Sequence, residues 1–245
     1  MLIIFDLDGT LINTIDDLGQ ACNYALAACG YPIHPIEDYP RLVGNGINRL
    51  IERALPEAHR NEETVLRLRK YFVPYYDEHN CELTCPYDGI IELLQTLKEE
   101  GHTLAVASNK YQAATEKIVA HFFPGVFDVV LGERENVARK PDPQIVWDII
   151  ESLDDARRAS YRTASEMPTV RLYEATERGQ SLLQERGEML YVGDSLVDAK
   201  TAKAAKIPFV ACTWGFCTEE QLASANPNYM VQHPIEILTI VEDIL

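Results

Sequence analysis

Basic residues are scarce. Against 38 Asp and Glu the 245-residue chain sets 22 Lys and Arg, a formal charge of −16. Such a field repels a polyphosphate backbone unless the bases are gathered onto one face, which argues against nucleic acid as a partner. Long apolar runs are missing as well. Met1 to Phe5 meets Asp6 after five apolar residues and carries no basic flank, so it reads as neither a signal peptide nor a spanning helix, and no later run approaches membrane length. The six cysteines (Cys22, Cys29, Cys81, Cys85, Cys212 and Cys217) are scattered, and no export signal accompanies them, so free thiols are the default. Cys81 and Cys85 have a spacing that some metal sites use, but no second Cys/His pair stands at the matching distance. These absences predict a soluble cytoplasmic protein with no membrane or nucleic-acid contact.

What remains is a globular composition, 47% hydrophobic and 24% charged, at a length suited to one large α/β domain or one domain with an accessory one. The opening run, Met1 to Leu7, predicts a short apolar strand interrupted at Asp6 and broken at Asp8-Gly9. From Ile15 to about Cys81 the periodicity is helical: Leu18, Cys22, Ala25 and Leu26 share one face, as do Ile47, Leu50, Ile51 and Ala54. Beyond Pro86-Tyr87-Asp88-Gly89 strands and helices alternate. Strands are predicted at Thr103 to Ala107, Phe127 to Leu131, Met189 to Val192, Ile207 to Cys212 and Tyr229 to Val231, with helices between them and a last helix from Ile235. Alternation with short connections predicts a parallel sheet covered on both faces. Residues 15–81 then form an insertion behind the first strand, beside Asp6 and Asp8, where a lid belongs. Residues 154–187 break the rhythm: they carry six of the 14 arginines, no lysine and six acids. Leu172, Ala175, Gly179, Leu182 and Leu183 give them a helical spacing.

Four signals fall at the ends of predicted strands, where open α/β sheets place their ligands. Asp6-Leu7-Asp8-Gly9-Thr10 puts two carboxylates on one side of an extended chain, close enough to repel unless a cation or a shared proton intervenes. Ser108-Asn109-Lys110 closes one strand and opens a helix, a cradle for phosphate that reads equally as an ordinary N-cap. Lys140-Pro141-Asp142-Pro143 fixes a turn and holds the lysine rigidly ahead of a helix, although a surface lysine alone would look the same. Gly193-Asp194 through Asp198 ends another apolar strand in a carboxylate, which alone could be an N-cap. Taken together they are more specific. Asp6, Asp8 and Asp194 make a hard, oxygen-rich set of the kind Mg²⁺ prefers, while Ser108 and Lys140 offer a donor and a positive charge to an anion. A divalent cation, a phosphate and a carboxylate nucleophile fit that inventory.

In this order the four signals resemble the four motifs of the haloacid dehalogenase superfamily, with Asp-Leu-Asp-Gly-Thr marking its phosphatase and phosphotransferase branch. Asp16-Asp17-Leu18, Asn23-Tyr24-Ala25-Leu26, Gly30-Tyr31-Pro32, Val43-Gly44-Asn45-Gly46, Leu50 and Arg53-Ala54-Leu55 are similar to phosphoglycolate phosphatases with a small helical cap. The resemblance implies a Rossmann-like parallel-sheet core over 1–14 and 82–245, and a cap over 15–81. It further implies that Asp6 attacks phosphorus to form an aspartyl phosphate, and that Asp8 protonates the leaving group and then activates water. It has Mg²⁺ held by Asp6, the backbone carbonyl of Asp8 and Asp194, with Asp198 assisting. Ser108 and the Asn109 backbone would bind phosphoryl oxygens, and Lys140 would neutralise charge.

In the cap, Gly44-Asn45-Gly46 can offer backbone N–H groups to a small carboxylate, with Arg41, Arg49 or Arg53 to pair with it. The expected substrate is a small phosphorylated metabolite, with 2-phosphoglycolate leading. Two other readings stand beside it: a phosphomutase passing the phosphate to a sugar hydroxyl, and a protein that uses 154–187 for self-association or a partner. Two features depart from the family. Lys206 stands where a glycine is usual, and the 54 residues from Lys140 to Asp194 are about twice the customary spacing.

Overall fold

The opening run forms strand β1, Leu2–Phe5, and all of it is buried. Alternation divides it between two layers: Ile3 and Phe5 join one apolar cluster, Leu2 and Ile4 another. A strand apolar on both faces belongs inside a covered sheet.

The computed structural model describes residues 1–162 and 188–245. After β1 the chain makes a two-residue strand, β2 (Ile12–Asn13), and enters a helical block: α1 (Ile15–Ala28), a 3-10 segment Ile36–Arg41, α2 (Ile47–Ala54), a second one Glu57–His59, and α3 (Glu62–His79). Helix α3 starts where Asn61 Oδ1 accepts from Thr64 N at 3.0 Å, with Glu62 and Glu63 in its positive first turn. On leaving the block the chain forms β3 (Cys85–Pro86), which pairs antiparallel with β2 and so ties exit to entry. Asp17, buried in α1, reinforces that tie by accepting from Thr84 N at 2.9 Å, Thr84 Oγ1 at 2.7 Å and Leu83 N at 3.1 Å.

The remainder alternates: α4 (Ile90–Glu99), β4 (Thr103–Tyr111), α5 (Gln112–Phe122), β5 (Val129–Glu133), α6 (Gln144–Arg162), β6 (Met189–Gly193), α7 (Leu196–Ala205), β7 (Phe209–Cys212), α8 (Glu219–Ser224), β8 (Tyr229–Val231) and α9 (Glu236–Ile244). All pairings in the six-stranded sheet are parallel, in the order β5-β4-β1-β6-β7-β8. The expected α/β architecture is therefore present. Because β1 lies between β4 and β6, the connections diverge at its carboxyl end, and a crevice opens there.

One boundary is corrected. The strand expected to stop at Ala107 continues to Tyr111 across a register shift, while the next helix opens at Gln112, as its periodicity predicts. Ser108, Asn109 and Lys110 thus ride on an irregular strand end and do not cap a helix; Thr115 Oγ1 donates to Lys110 O at 3.1 Å across the junction. At the end of α7, Lys206 takes the left-handed conformation (φ 60°), and Ile207 N closes the helix on Ala202 O at 2.9 Å. The helical spacing of Leu172 to Leu183, and most of the 154–187 segment with the self-association or partner contact raised for it as an alternative, lie outside the described residues. No described helix is long and apolar enough to cross a membrane. All six cysteines are free thiols.

Candidate active site

The crevice is built from strand ends. Asp6 continues β1, its N–H donating to Val192 O of β6 at 2.9 Å. Its Oδ1 accepts from Leu7 N at 2.7 Å and faces Lys140 Nζ at 2.8 Å. Both contacts fall on Oδ1, which leaves Oδ2 uncommitted among the described residues. Burial, reinforced by Asp198, pushes the Asp6 pKa well above the usual carboxylate range, and Lys140 only partly opposes this.

Lys140 is equally buried. Its ammonium also donates to Asp198 Oδ1 at 2.7 Å. Burial alone would lower its pKa, but Asp198 and Asp6 outweigh burial and hold it well above the ordinary lysine value. Its backbone is fixed by Asn109: Lys140 N donates to Asn109 Oδ1 at 3.0 Å, and Asn109 Nδ2 donates to Lys140 O at 3.1 Å. Asp198 is itself held, its Oδ2 accepting from Ser195 N at 3.1 Å and Ser195 Oγ at 2.5 Å in the capping box that opens α7.

Asp194 closes the acidic group. Thr10 Oγ1 donates to its Oδ1 at 3.1 Å, and Phe216 N to its Oδ2 at 2.7 Å. Burial, with Asp198 adding to it, pushes its pKa up to about 7 against those two hydrogen bonds. Two glycines wrap it: a Cβ at Gly9, whose φ is +89°, or at Gly215 would fall inside contact distance of the Asp194 side chain. Trp214 Nε1 donates to Thr10 O at 3.0 Å and locks the loop after β7 against the loop after β1.

Oxygens of Asp6, Asp194 and Asp198 lie within 4.8 Å of one another. Of these three buried carboxylates Lys140 pairs with Asp6 and Asp198 only, and burial drives Asp6 and Asp194 toward protonation. A hard cation with a preference for oxygen fits this donor set and relieves its uncompensated charge.

Asp8 stands apart from that cluster. Its Oδ1 accepts from Thr14 Oγ1 at 2.8 Å and pairs with Lys110 Nζ at 3.0 Å. Lys110 also donates to the Tyr76 hydroxyl of α3 at 2.8 Å. The two neighbouring carboxylates anticipated to repel one another therefore each have an ammonium, Lys140 for Asp6 and Lys110 for Asp8. Between them opens a cavity that both carboxylates line. Asp6, Asp8, Ser108, Asn109, Lys110 and Lys140 line its floor, while Leu18, Val43, Ile47, Leu50 and Tyr76 cover it from the helical block, with Gly44 and Gly46.

The cap arginines lie elsewhere. Arg49 is 62% exposed and pairs with Glu52 at 2.5 Å, so it does not face the cavity. Arg41 pairs with Asp38, and Arg53 donates to Leu42 O at 2.9 Å, Val43 O at 3.1 Å and Asn45 Oδ1 at 2.5 Å. Asn45 is thereby turned to Arg53 and is not among the lining residues. Lys110 and Tyr76 were missed by the sequence reading. Lys110 was visible in principle, since alternation along a strand continued past Ala107 puts it on the same side as Ser108; Tyr76 carried no signal separating it from a core aromatic.

A family model described as haloacid dehalogenase-like hydrolase matches residues 3–161. The chain is 31% identical to a phosphoglycolate phosphatase of Mesorhizobium japonicum, over 98% of this chain and 93% of that one. It is 31% identical to a phosphoglycolate phosphatase of Haemophilus influenzae, over 98% and 97% of the two chains. Among solved structures, a crystal structure from Lactobacillus delbrueckii subsp. bulgaricus superposes with a TM-score of 0.79 at 28% identity, covering 96% of this chain and 95% of that one.

Proposed function

The chain belongs to the haloacid dehalogenase-like hydrolases and is a phosphatase of that family, and on this premise we propose that it hydrolyses 2-phosphoglycolate through a phosphorylated Asp6. The observation that carries the proposal is the pairing of Asp6 with Lys140 at 2.8 Å in a cavity shared with Asp8. In-line attack by Asp6 Oδ2 moves negative charge onto the phosphoryl oxygens, and the Lys140 ammonium lies where it offsets charge on nucleophile and phosphate together. Ser108 supplies a hydroxyl on the same floor.

Asp8 acts on the other side of the transferred group. Thr14 and Lys110 hold its Oδ1, so Oδ2 carries the proton to the leaving oxygen and then takes one from the water that cleaves the acyl phosphate. Asp6 and Asp194, with Asp198 beside them, would hold Mg²⁺, which when bound supplies the positive charge that keeps these acids ionised and screens the phosphate.

Acid-quenching the enzyme with substrate and mapping phosphate to the peptide that contains Asp6 tests the route. Asp6→Asn should abolish both the labelled peptide and phosphate release. Retained turnover in Asp6→Asn would overturn the proposal. Free phosphate appearing without any bisphosphate activator separates hydrolysis from transfer to a sugar hydroxyl.

A further inference from the structure

The geometry points to Lys110, seated against Tyr76, as the group that selects a substrate bearing a carboxylate next to its phosphate ester. This rests on the phosphatase reading above and adds the residue that chooses the substrate.

Two ammonium groups line the cavity: Lys140 beside Asp6 and Lys110 beside Asp8. Each has three N–H donors. Lys140 is shared among Asp6, Asp198 and the Tyr191 hydroxyl, whereas Lys110 meets Asp8 and Tyr76 and has no third acceptor among the described residues. The floor thus offers an ammonium group beside each of its two carboxylates. The phosphoryl group belongs at Lys140, beside the nucleophile. A second anion then falls to Lys110, next to the carboxylate that protonates the leaving oxygen, so the charge it reads lies within one or two bonds of that oxygen.

The roof supports the same conclusion. Leu18, Val43, Ile47 and Leu50 offer no hydrogen bonds, and Arg41, Arg49 and Arg53 are all engaged outside the cavity. A sugar or nucleoside leaving group would press hydroxyls against those aliphatic side chains, with Ser195, Tyr111 and the backbone of Gly44 and Gly46 as the other polar groups of the lining. A carboxylate on a single methylene buries little beyond the charge that Lys110 meets. Tyr76 comes from α3, so the reading group on the sheet is held in place by the helical block, and the block must be seated for the carboxylate to be recognised.

The test compares kcat/KM for 2-phosphoglycolate and for its neutral isostere, 2-phosphoglycolamide. The parent should favour the acid by about ten- to a hundredfold, the value of one charge-assisted hydrogen bond, mostly through KM. Lys110→Met should collapse the ratio toward one, and Lys110→Arg should restore a preference for the acid. A parent that turns over both esters equally well overturns the assignment without any variant. Equal losses on both esters in Lys110→Met also overturn it, because Lys110 would then act through Asp8 alone. A parent inert toward both esters sinks the phosphatase reading and the inference with it, an outcome distinct from indifference between the two.

Discussion

Asn109 grips Lys140 by both ends of its carboxamide, accepting from Lys140 N at 3.0 Å and donating to Lys140 O at 3.1 Å. The charge that meets Asp6 is therefore aimed by a neighbouring strand. Asn109→Ala removes the grip without touching nucleophile or ammonium. Small misplacements near reacting atoms are expensive, so kcat should fall by about tenfold to a hundredfold with a far-UV spectrum like the parent's. Unchanged kcat would show that the turn at Pro141 positions Lys140 unaided.

Lys140→Met leaves Asp6 and Asp198 buried without their ammonium. Removing one partner from a buried ion pair costs about 3–5 kcal/mol, so the midpoint of urea unfolding should drop markedly along with activity. Adding Asp198→Asn should recover much of the stability and none of the activity. Recovery of both would mean that Lys140 serves the fold alone.

Gly215→Ala drives a methyl group into Asp194, since Gly215 and Gly9 enclose that carboxylate. Titrating Mg²⁺ against activity should show at least a tenfold rise in the concentration for half-maximal rate, an effect of about 1.4 kcal/mol or more. A titration curve identical to the parent's would remove Asp194 from the set of metal-holding residues.

The pH dependence has a definite sign. Asp194 has a folded pKa raised to about 7, chiefly by burial, and Asp6 is raised as well. Protons are thus bound more tightly in the folded protein, and this contribution to stability is full below about pH 4 and lost as the pH climbs through 7. In chelator, Asp194→Asn should therefore gain on the parent in Tm between pH 5 and 8. Saturating Mg²⁺ should raise the parent's Tm more at pH 8 than at pH 5. A Mg²⁺-induced shift of the same size at both values would contradict this account of the acidic cluster.

Lys206 closes α7 at φ 60°, a conformation that glycine adopts without the cost of a Cβ. Lys206→Gly should stabilise the protein by about 0.5–1 kcal/mol, read as a higher urea midpoint with kcat/KM unaltered. A lower midpoint would mean that the lysine side chain makes up for the strain.

Much of this was legible before any coordinates. The apolar run ahead of Asp6 reads as a strand, and the acids that follow such runs point to Asp6, Asp8 and Asp194 once the four signals are taken together, although Asp194 alone reads equally as an N-cap. The amphipathic faces of α1 and α2 were equally plain. The far wall of the cavity was not. A strand end that continues through a register shift hid Lys110, since Ser-Asn-Lys reads as a cap wherever the apolar run stops. The cap arginines looked like anion ligands because composition records a charge but not its partner. Only the fold shows Arg53 spent on two carbonyls and Asn45 and Arg49 spent on Glu52.

The β2–β3 pairing joins the two ends of the helical block within a pair of residues on each side. A module entered and left through one short pairing is attached by a single stem, while its last helix rests against the end of β4, where Lys110 donates to Tyr76 and Tyr111 to Asp77. What lies between Asn13 and Cys85 can lengthen or shorten while entry and exit stay paired, which leaves the strand that carries Asp6 in place. Any such change is felt at the far end of the block, where Lys110, Tyr111 and Lys117 of the core reach Tyr76 and Asp77 of α3.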